Sequence, residues 1–213
     1  MHNPLWRGLR RRRLLTGAMA LAAAGPWRIA AAAGGATPRQ TAGPFYPVDW
    51  DGDIDWDLVR VTGAAAQAMG KVTRLGGQVT DAAGAPVAGA LVQIWQCDAN
   101  GRYRHPGDGG RGVSLDANFQ GRGQVLTDAE GRYGFRTIRP VSYPGRTPHI
   151  HFRVATPSGR ELITQMYLDG EAENERDFLF QRLNDPSALL VRLDPADAIE
   201  PGALAGNFDI ALG

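Results

Sequence analysis

Cysteine is almost absent from this 213-residue chain, which contains only Cys97. A single cysteine excludes an intramolecular disulfide, so any metal site must be built from nitrogen and oxygen ligands. Because Cys97 lies in an apolar run, we predict a buried thiol. Histidine is nearly as scarce: the chain has four, and His2 lies in the N-terminal stretch, which leaves three for the body of the protein.

Acidic residues are absent from residues 1–33, which contain six arginines. A basic segment that ends at Arg13, an apolar run that starts with Leu14 and Leu15, and small residues at 30–33 follow one another as in a secretory signal. Paired arginines are typical of the twin-arginine route. We predict an export signal at residues 1–33 and a periplasmic or extracellular location; the alternative is a disordered basic tail. The apolar run is too short and too rich in alanine for a stable membrane span.

The remaining 180 residues carry 17 basic and 22 acidic side chains, a net charge of −5. A body of this charge is not expected to bind nucleic acid. We predict that residues 34–70 form an N-terminal loop segment and that residues 71–213 form one domain.

Short runs rich in Val, Ile, Phe, Tyr and Thr alternate with turn-forming clusters from residue 72 onward. This texture predicts an all-β fold, an antiparallel β-sandwich of about eight strands with long active-site loops. The predicted strands cover residues 73–80, 90–97, 123–127, 132–138, 149–155, 161–168, 189–193 and 207–212. One short helix is predicted at 173–183.

Two of the three histidines of the body, His149 and His151, lie on one predicted strand. Residues two apart on a strand face the same side, so both imidazoles can point at one ion. Neutral imidazoles suit Zn, Cu, Ni or Fe, although a His-x-His strand is also compatible with solvated or hydrogen-bonded rings. A cupin would add a glutamate three or four residues later, where this chain has Ala155 and Thr156.

Two tyrosines, Tyr103 in GRYRH and Tyr143 in VSYPGRTP, lie on predicted loops outside the alternating strand pattern. A phenolate is a hard anionic donor, and two phenolates favour ferric over ferrous iron by neutralising more charge. Two tyrosines and two histidines would leave a net charge of about +1 on ferric iron. The alternative is that both are surface or turn residues.

Four segments in order, GRYRHPGD (101–108), FQGRGQVLTDAEGRYGFRTIRPVSYP (119–144), GRTPHIHF (145–152) and LITQMYL (162–168), resemble the intradiol ring-cleavage dioxygenases. That family includes protocatechuate 3,4-, catechol 1,2- and hydroxyquinol 1,2-dioxygenases. With TAGPFYP at 41–47, the resemblance covers residues 41–168. It implies one Fe(3+) per chain, a small aromatic diol and O2 as substrates, and cleavage between the two hydroxylated carbons to a muconate-type dicarboxylate.

The resemblance also implies roles for individual residues. The four implied metal ligands are Tyr103, Tyr143, His149 and His151. Tyr143 would be the tyrosinate that leaves the iron when substrate binds. Arg146 would lie against the substrate ring and stabilise negative charge on it. Gln165 matches a glutamine that lies behind the ligands, and Tyr46 would line the substrate pocket.

Other features leave the substrate and one rival function open. Only five residues lie between Tyr143 and His149, fewer than is usual among ring-cleaving relatives, and residues 34–70 are too short for the helical linker domain of catechol 1,2-dioxygenases. A homo-oligomer is compatible with the sequence.

Residues 75–96 and 127–135 also resemble non-catalytic, carbohydrate- or protein-binding β-sandwich modules, which have no use for the four ligands. A Zn or Cu hydrolase would need an acidic base near the histidine pair, which the sequence does not provide.

Overall fold

The structure is a computed structural model, and it describes residues 35–109 and 112–213. The predicted export signal at 1–33 lies outside these residues. In the described part of the chain, no helix or named strand precedes Val72, and no helix is long and apolar enough to cross a membrane.

The strands begin where the sequence turns to alternating β-formers. The described residues contain these strands, numbered in chain order: β1 (Val72–Thr80), β2 (Leu91–Trp95), β3 (Arg122–Leu126), β4 (Arg132–Ile138), β5 (His149–Ala155), β6 (Glu161–Leu168), β7 (Leu190–Val191), β8 (Asp194–Pro195), β9 (Leu204–Asn207) and β10 (Ile210–Ala211).

The strands form two five-stranded sheets. In the first sheet, β4 pairs antiparallel with one edge of β1, while β9 and β10 pair parallel with the other edge and β8 pairs with β9. The second sheet has the order β3-β2-β5-β6-β7. Its register places Trp95 of β2 and Gln165 of β6 on either side of His151 of β5.

One main apolar core includes buried side chains from both sheets, for example Leu75 and Phe135 of the first and Ile150 and Phe152 of the second. Because side chains alternate along a strand, the histidines of β5 point to the face opposite to Ile150 and Phe152. A second, smaller cluster of buried rings built around Trp95 covers that outer face. The outer face of the second sheet therefore carries the histidine pair.

The prediction of an all-β sandwich is confirmed, and β4, β5 and β6 have the bounds that the sequence predicts. The strand pairing is mixed rather than purely antiparallel, because β9 and β10 run parallel to β1 and β7 runs parallel to β6. The predicted strand at 207–212 is divided between β9 and β10. The carboxylate of Asp209, rather than a backbone carbonyl, accepts the N–H of Gln78 at 2.9 Å and interrupts the ladder.

The predicted helix at 173–183 is much shorter in the structure, where only Ala172–Arg176 forms a 3-10 helix. Asp177 follows with extended backbone angles, φ −81° and ψ 117°. Its Oδ1 accepts the N–H groups of Leu179 and Phe180 at 2.9 and 3.1 Å. A side-chain carboxylate that binds nearby N–H groups competes with helical hydrogen bonds, and the helix ends there.

Candidate metal centre

The four side chains predicted as ligands come from three places in the chain. His149 and His151 open β5, Tyr103 lies in the loop between β2 and β3, and Tyr143 lies in the turn between β4 and β5. A backbone bridge between Tyr143 and Arg146 closes that turn. The short connection between Tyr143 and His149 thus places a tyrosine directly beside the histidine strand.

The four rings converge. His149 Nε2 lies 3.2 Å from His151 Nε2 and 3.3 Å from the hydroxyl of Tyr103. The ring of Tyr143 has its centroid 5.6 Å from that of Tyr103 and 5.5 Å from that of His149. The structure therefore brings all four of these predicted residues together.

The two imidazoles are oriented by different contacts. His149 Nδ1 donates to the carbonyl of Thr147 at 2.7 Å, which directs the Nε2 lone pair at the cluster. His151 instead stacks on Trp95, with ring centroids 4.9 Å apart and 5° between the planes. Its buried Nδ1 makes no well-formed hydrogen bond to the described residues. The stack on Trp95 therefore orients His151 together with a weaker contact to the backbone of Thr41.

Burial controls the protonation of the cluster. Desolvation, followed by the charge of Arg146, lowers the pKa of His149 to about 3, and desolvation also holds the pKa of His151 well below its ordinary value. Both imidazoles are therefore neutral at pH 7, with lone pairs available. Desolvation raises the pKa of Tyr103 and Tyr143. The two phenols would ionise only beside a strong cation that replaces their protons.

This donor set fits a hard metal ion. Two imidazole nitrogens and two phenol oxygens face one another, and within residues 35–109 and 112–213 no group of three His, Cys, Asp or Glu residues could hold a metal. Cys97, the soft donor, is buried as predicted, and desolvation followed by the charge of Asp98 raises the pKa of its thiol to about 12. Phenolate and imidazole ligands suit iron better than soft metals such as Cu(I).

Arg146 lies beside the centre with 9% of its side chain exposed. Its Nε donates to Asp177 Oδ2 at 2.7 Å, and its Nη2 donates to Gln165 Oε1 at 2.6 Å. Gln165 in turn donates to the carbonyl of Thr41 at 2.9 Å. Arg146 therefore supplies a fixed positive charge, and that charge lowers the pKa of both imidazoles and of Tyr143.

A family model described as "Dioxygenase" matches residues 41–212, most of the chain. The protocatechuate 3,4-dioxygenase beta chain of Burkholderia cepacia is 39% identical over 186 residues, which cover 82% of this chain and 78% of that one. This chain belongs to the intradiol ring-cleavage dioxygenase family.

Two further relatives differ in how much of their length this chain matches. Hydroxyquinol 1,2-dioxygenase of Corynebacterium glutamicum is 31% identical over 83% of this chain, but the match covers 63% of that enzyme. The dioxygenase domain of a dioxygenase carbohydrate-binding protein fusion from Streptomyces sp. SirexAA-E superposes with a TM-score of 0.65 at 33% identity. That match covers 83% of this chain and 97% of the domain.

Tyr46 is connected to the candidate centre through another ring. It packs edge-on against Trp95 with centroids 4.9 Å apart, and Trp95 stacks on His151. The expectation that Tyr46 lines the substrate pocket stays a prediction. His105 lies on the same loop as Tyr103; its Nδ1 accepts the N–H of Gly107 at 2.9 Å, and its ring contacts Phe45 rather than the ligand set.

Sequence reasoning missed Trp95 and Asp177, which support the candidate centre: Trp95 stacks on His151, and Asp177 accepts Nε of Arg146. Trp95 is hidden in an apolar run, and its outward direction follows only from the pairing of β2 with β5. Asp177 lies in a stretch with Glu173 and Glu175, and nothing in the sequence separates it from them. Only the tertiary contact with Arg146 does so.

Proposed function

We propose that this protein is a ferric iron dioxygenase that cleaves a catechol-type ring between its two hydroxylated carbons with O2, giving a muconate-type dicarboxylate. One observation carries the proposal: a buried phenol (Tyr103), a half-buried phenol (Tyr143) and two buried, neutral imidazoles converge beside a fixed arginine. The names of the relatives, protocatechuate 3,4- and hydroxyquinol 1,2-dioxygenase, support a catechol-type substrate. A non-catalytic β-sandwich module would have no use for this arrangement.

The ligand roles follow from the chemistry of each group. Tyr103, Tyr143, His149 and His151 would hold one Fe(3+). When bound, ferric iron would supply Lewis acidity that favours the ionised form of the catechol and activates its ring. The neutral imidazoles and the two phenolates would leave a small net charge, which favours an anionic substrate at the same ion.

Tyr143 is suited to act as a base. Burial raises the pKa of its phenol, so its oxygen takes up a proton at neutral pH whenever no cation holds it. A catechol that binds as a dianion must lose two protons. A Tyr143 oxygen that no longer served as a ligand would accept one of these protons within the site, and a solvent-derived hydroxide would accept the other.

Arg146 would stabilise negative charge rather than transfer protons, and Gln165 would hold Arg146 in place. The guanidinium of Arg146 stays ionised, because its hydrogen bond and charge pairing with Asp177 outweigh the effect of burial and raise its pKa. A fixed cation held by Asp177 and Gln165 needs no reorganisation when negative charge develops on the substrate ring. Gln165 keeps the cation in place and would not touch the reacting carbons.

We also propose that the protein is exported through the twin-arginine route. The support is the order of basic, apolar and small segments in residues 1–33. Twin-arginine export carries folded proteins, which suits a metal centre formed before export.

Metal analysis, visible spectroscopy and O2 consumption on the purified full chain test the proposed function. We expect about one iron per chain, a broad absorption band that colours the protein red-brown, and ring-cleaved product from catechol, protocatechuate or hydroxyquinol. Arg146→Ala should keep iron and colour while turnover falls roughly 10²- to 10³-fold, as when one preorganised charge-stabilising donor is lost. A colourless wild-type protein whose main metal is zinc would falsify the assignment.

A further inference from the structure

We infer that Asp177 is a positioning residue that sets the orientation of both Arg146 and His149. The inference rests on the proposed function, because it concerns how the proposed charge-stabilising arginine and a proposed ligand are held. It begins with the burial of Asp177, whose side chain has 0% exposure at the end of the 3-10 helix Ala172–Arg176.

Both carboxylate oxygens of Asp177 are fully used. Oδ2 accepts Nε of Arg146 at 2.7 Å and the backbone N–H of Thr147 at 3.0 Å. Oδ1 accepts the backbone N–H groups of Leu179 and Phe180. Burial alone would raise the pKa of Asp177, but the hydrogen bonds from Arg146, Phe180 and Thr147 outweigh it and lower the pKa. An ionised, buried carboxylate thus joins the 177–180 turn to the loop that carries Arg146.

The contact with Arg146 fixes the direction of the guanidinium. Nε is held by Asp177 and Nη2 by Gln165, so two anchors at different nitrogens define its plane. The hydroxyl of Tyr167 also lies 3.5 Å from Nη2. Without Asp177 the guanidinium would lose its anchor at Nε, and the contacts of Nη2 with Gln165 and Tyr167 would not fix its direction in the same way.

The contact with Thr147 reaches His149. The N–H of Thr147 donates to Asp177, while the carbonyl of Thr147 accepts Nδ1 of His149 at 2.7 Å. The side chain of Thr147 is also held, since its hydroxyl donates to Asn174 Oδ1 at 2.8 Å. Thr147, the residue whose carbonyl orients His149, is therefore held at its backbone N–H by Asp177 and at its hydroxyl by Asn174. Partners that orient metal-binding histidines typically change metal affinity or activity by about 10- to 100-fold when they are mutated.

Asp177→Asn is the informative substitution, because it keeps the size of the side chain and removes one acceptor. An asparagine has one oxygen, so it can accept from the Arg146–Thr147 pair or from the Leu179–Phe180 pair, but not from both. Either choice turns an NH2 group toward N–H donors. Asp57→Asn is a matched control: Asp57 also accepts an arginine, Arg136 at 2.9 Å, and a backbone N–H, but it does so at the first sheet.

The experiment compares wild type, Asp177→Asn, Asp57→Asn, Arg146→Ala and the double variant Asp177→Asn/Arg146→Ala. The readouts are metal affinity by chelator competition, visible spectrum, and kcat and KM per bound iron. We expect Asp177→Asn to lower kcat per bound iron by about 10- to 100-fold, to bind metal more weakly and to shift the band. Asp57→Asn should change none of these. In the Arg146→Ala background, Asp177→Asn should weaken metal binding without a further loss of kcat.

Several results would overturn the inference. Wild-type metal affinity and kcat in Asp177→Asn would do so, as would equal losses in Asp57→Asn, which would indicate general destabilisation. Additive losses of kcat in the double variant would show that Asp177 does not act through Arg146. If Asp177→Asn does not fold, Asp177→Glu keeps the charge but displaces it, and the same loss of kcat per iron is expected. A wild-type protein that cleaves no catechol refutes the proposed function instead, and chelator competition still tests the His149 contact.

Discussion

Replacing Trp95 should lower both the stability of the protein and the iron affinity of the proposed centre, whereas replacing a core residue of the same strand should lower the stability alone. Trp95 is 1% exposed and stacks on His151, the proposed ligand whose Nδ1 lacks a well-formed hydrogen bond within the described residues. Trp95→Ala removes the stacking surface that orients this ring. His149, whose ring is fixed by the carbonyl of Thr147, should be unaffected.

The magnitudes follow from burial and ring geometry. Truncation of a buried Trp costs about 3–5 kcal/mol of unfolding free energy. A stacked aromatic pair contributes about 0.5–1.5 kcal/mol beyond area burial, and loss of that contribution to the orientation of His151 should weaken iron binding roughly 2- to 10-fold. Trp95→Phe keeps a ring for stacking and removes an indole N–H that is buried without a partner in the described residues, so both losses should be smaller.

The assay is urea unfolding of the metal-free protein together with chelator competition for iron. Ile94→Ala is the matched control, because Ile94 precedes Trp95 on β2, is 0% exposed and belongs to the main core between the sheets. It should cost about 2–5 kcal/mol of unfolding free energy without a change in iron affinity. If Trp95→Ala and Ile94→Ala bind iron equally well, stacking does not orient His151 and the reasoning is wrong.

Three further predictions concern the ligands and the leader. His149→Ala should lose most bound iron by metal analysis, whereas His105→Ala should keep it, because His105 is tied to Gly107 rather than to the ligand set. Tyr143→Phe should keep iron but show a shifted visible band and slower catechol binding in stopped-flow measurements, since its oxygen is expected to leave iron during turnover; full loss of iron would contradict that role. Replacing Arg11 and Arg12 with lysine should leave the protein in the cytoplasm with its leader uncleaved, and fractionation that finds it beyond the inner membrane would refute the proposed export route.

The fold could be predicted where the signal is local. The segments that form β5 and β6 are rich in β-forming residues and are bounded by turn clusters, and the strand ends predicted from them agree with the structure. The parallel pairing of β9 and β10 with β1 could not be predicted, because it joins residues more than a hundred positions apart. The extent of the helix was overpredicted for a different reason. The carboxylate of Asp177 accepts the N–H groups of Leu179 and Phe180 on one oxygen and those of Arg146 and Thr147 on the other, and no helical periodicity reveals these contacts.

The candidate site could be predicted where it depends on residue types that are rare in this chain. Few histidines and two tyrosines among Gly, Arg and Pro stand out without a structure. Trp95 and Asp177 act through common interactions, a ring stack and a carboxylate–arginine pair, and such residues occur throughout the sequence. What distinguishes these two is the partner each one meets across the fold, and sequence spacing does not specify that partner.

The position of the centre on the outer face of its sheet gives the predicted N-terminal loop a part in the site. Side chains on an outer face are exposed to solvent unless other residues cover them, yet His149 and His151 are only 1% and 2% exposed. The cover includes the 40–46 segment. Gln40 accepts the hydroxyl of Tyr167, Thr41 accepts Gln165, and a Cβ on Gly43 would lie 3.3 Å from the ring of His151. Desolvation is the largest cause of the lowered pKa of His151 and outweighs the opposite effect of the hydrogen bond with the Thr41 backbone, so by covering that ring the segment helps keep the imidazole neutral and its lone pair available.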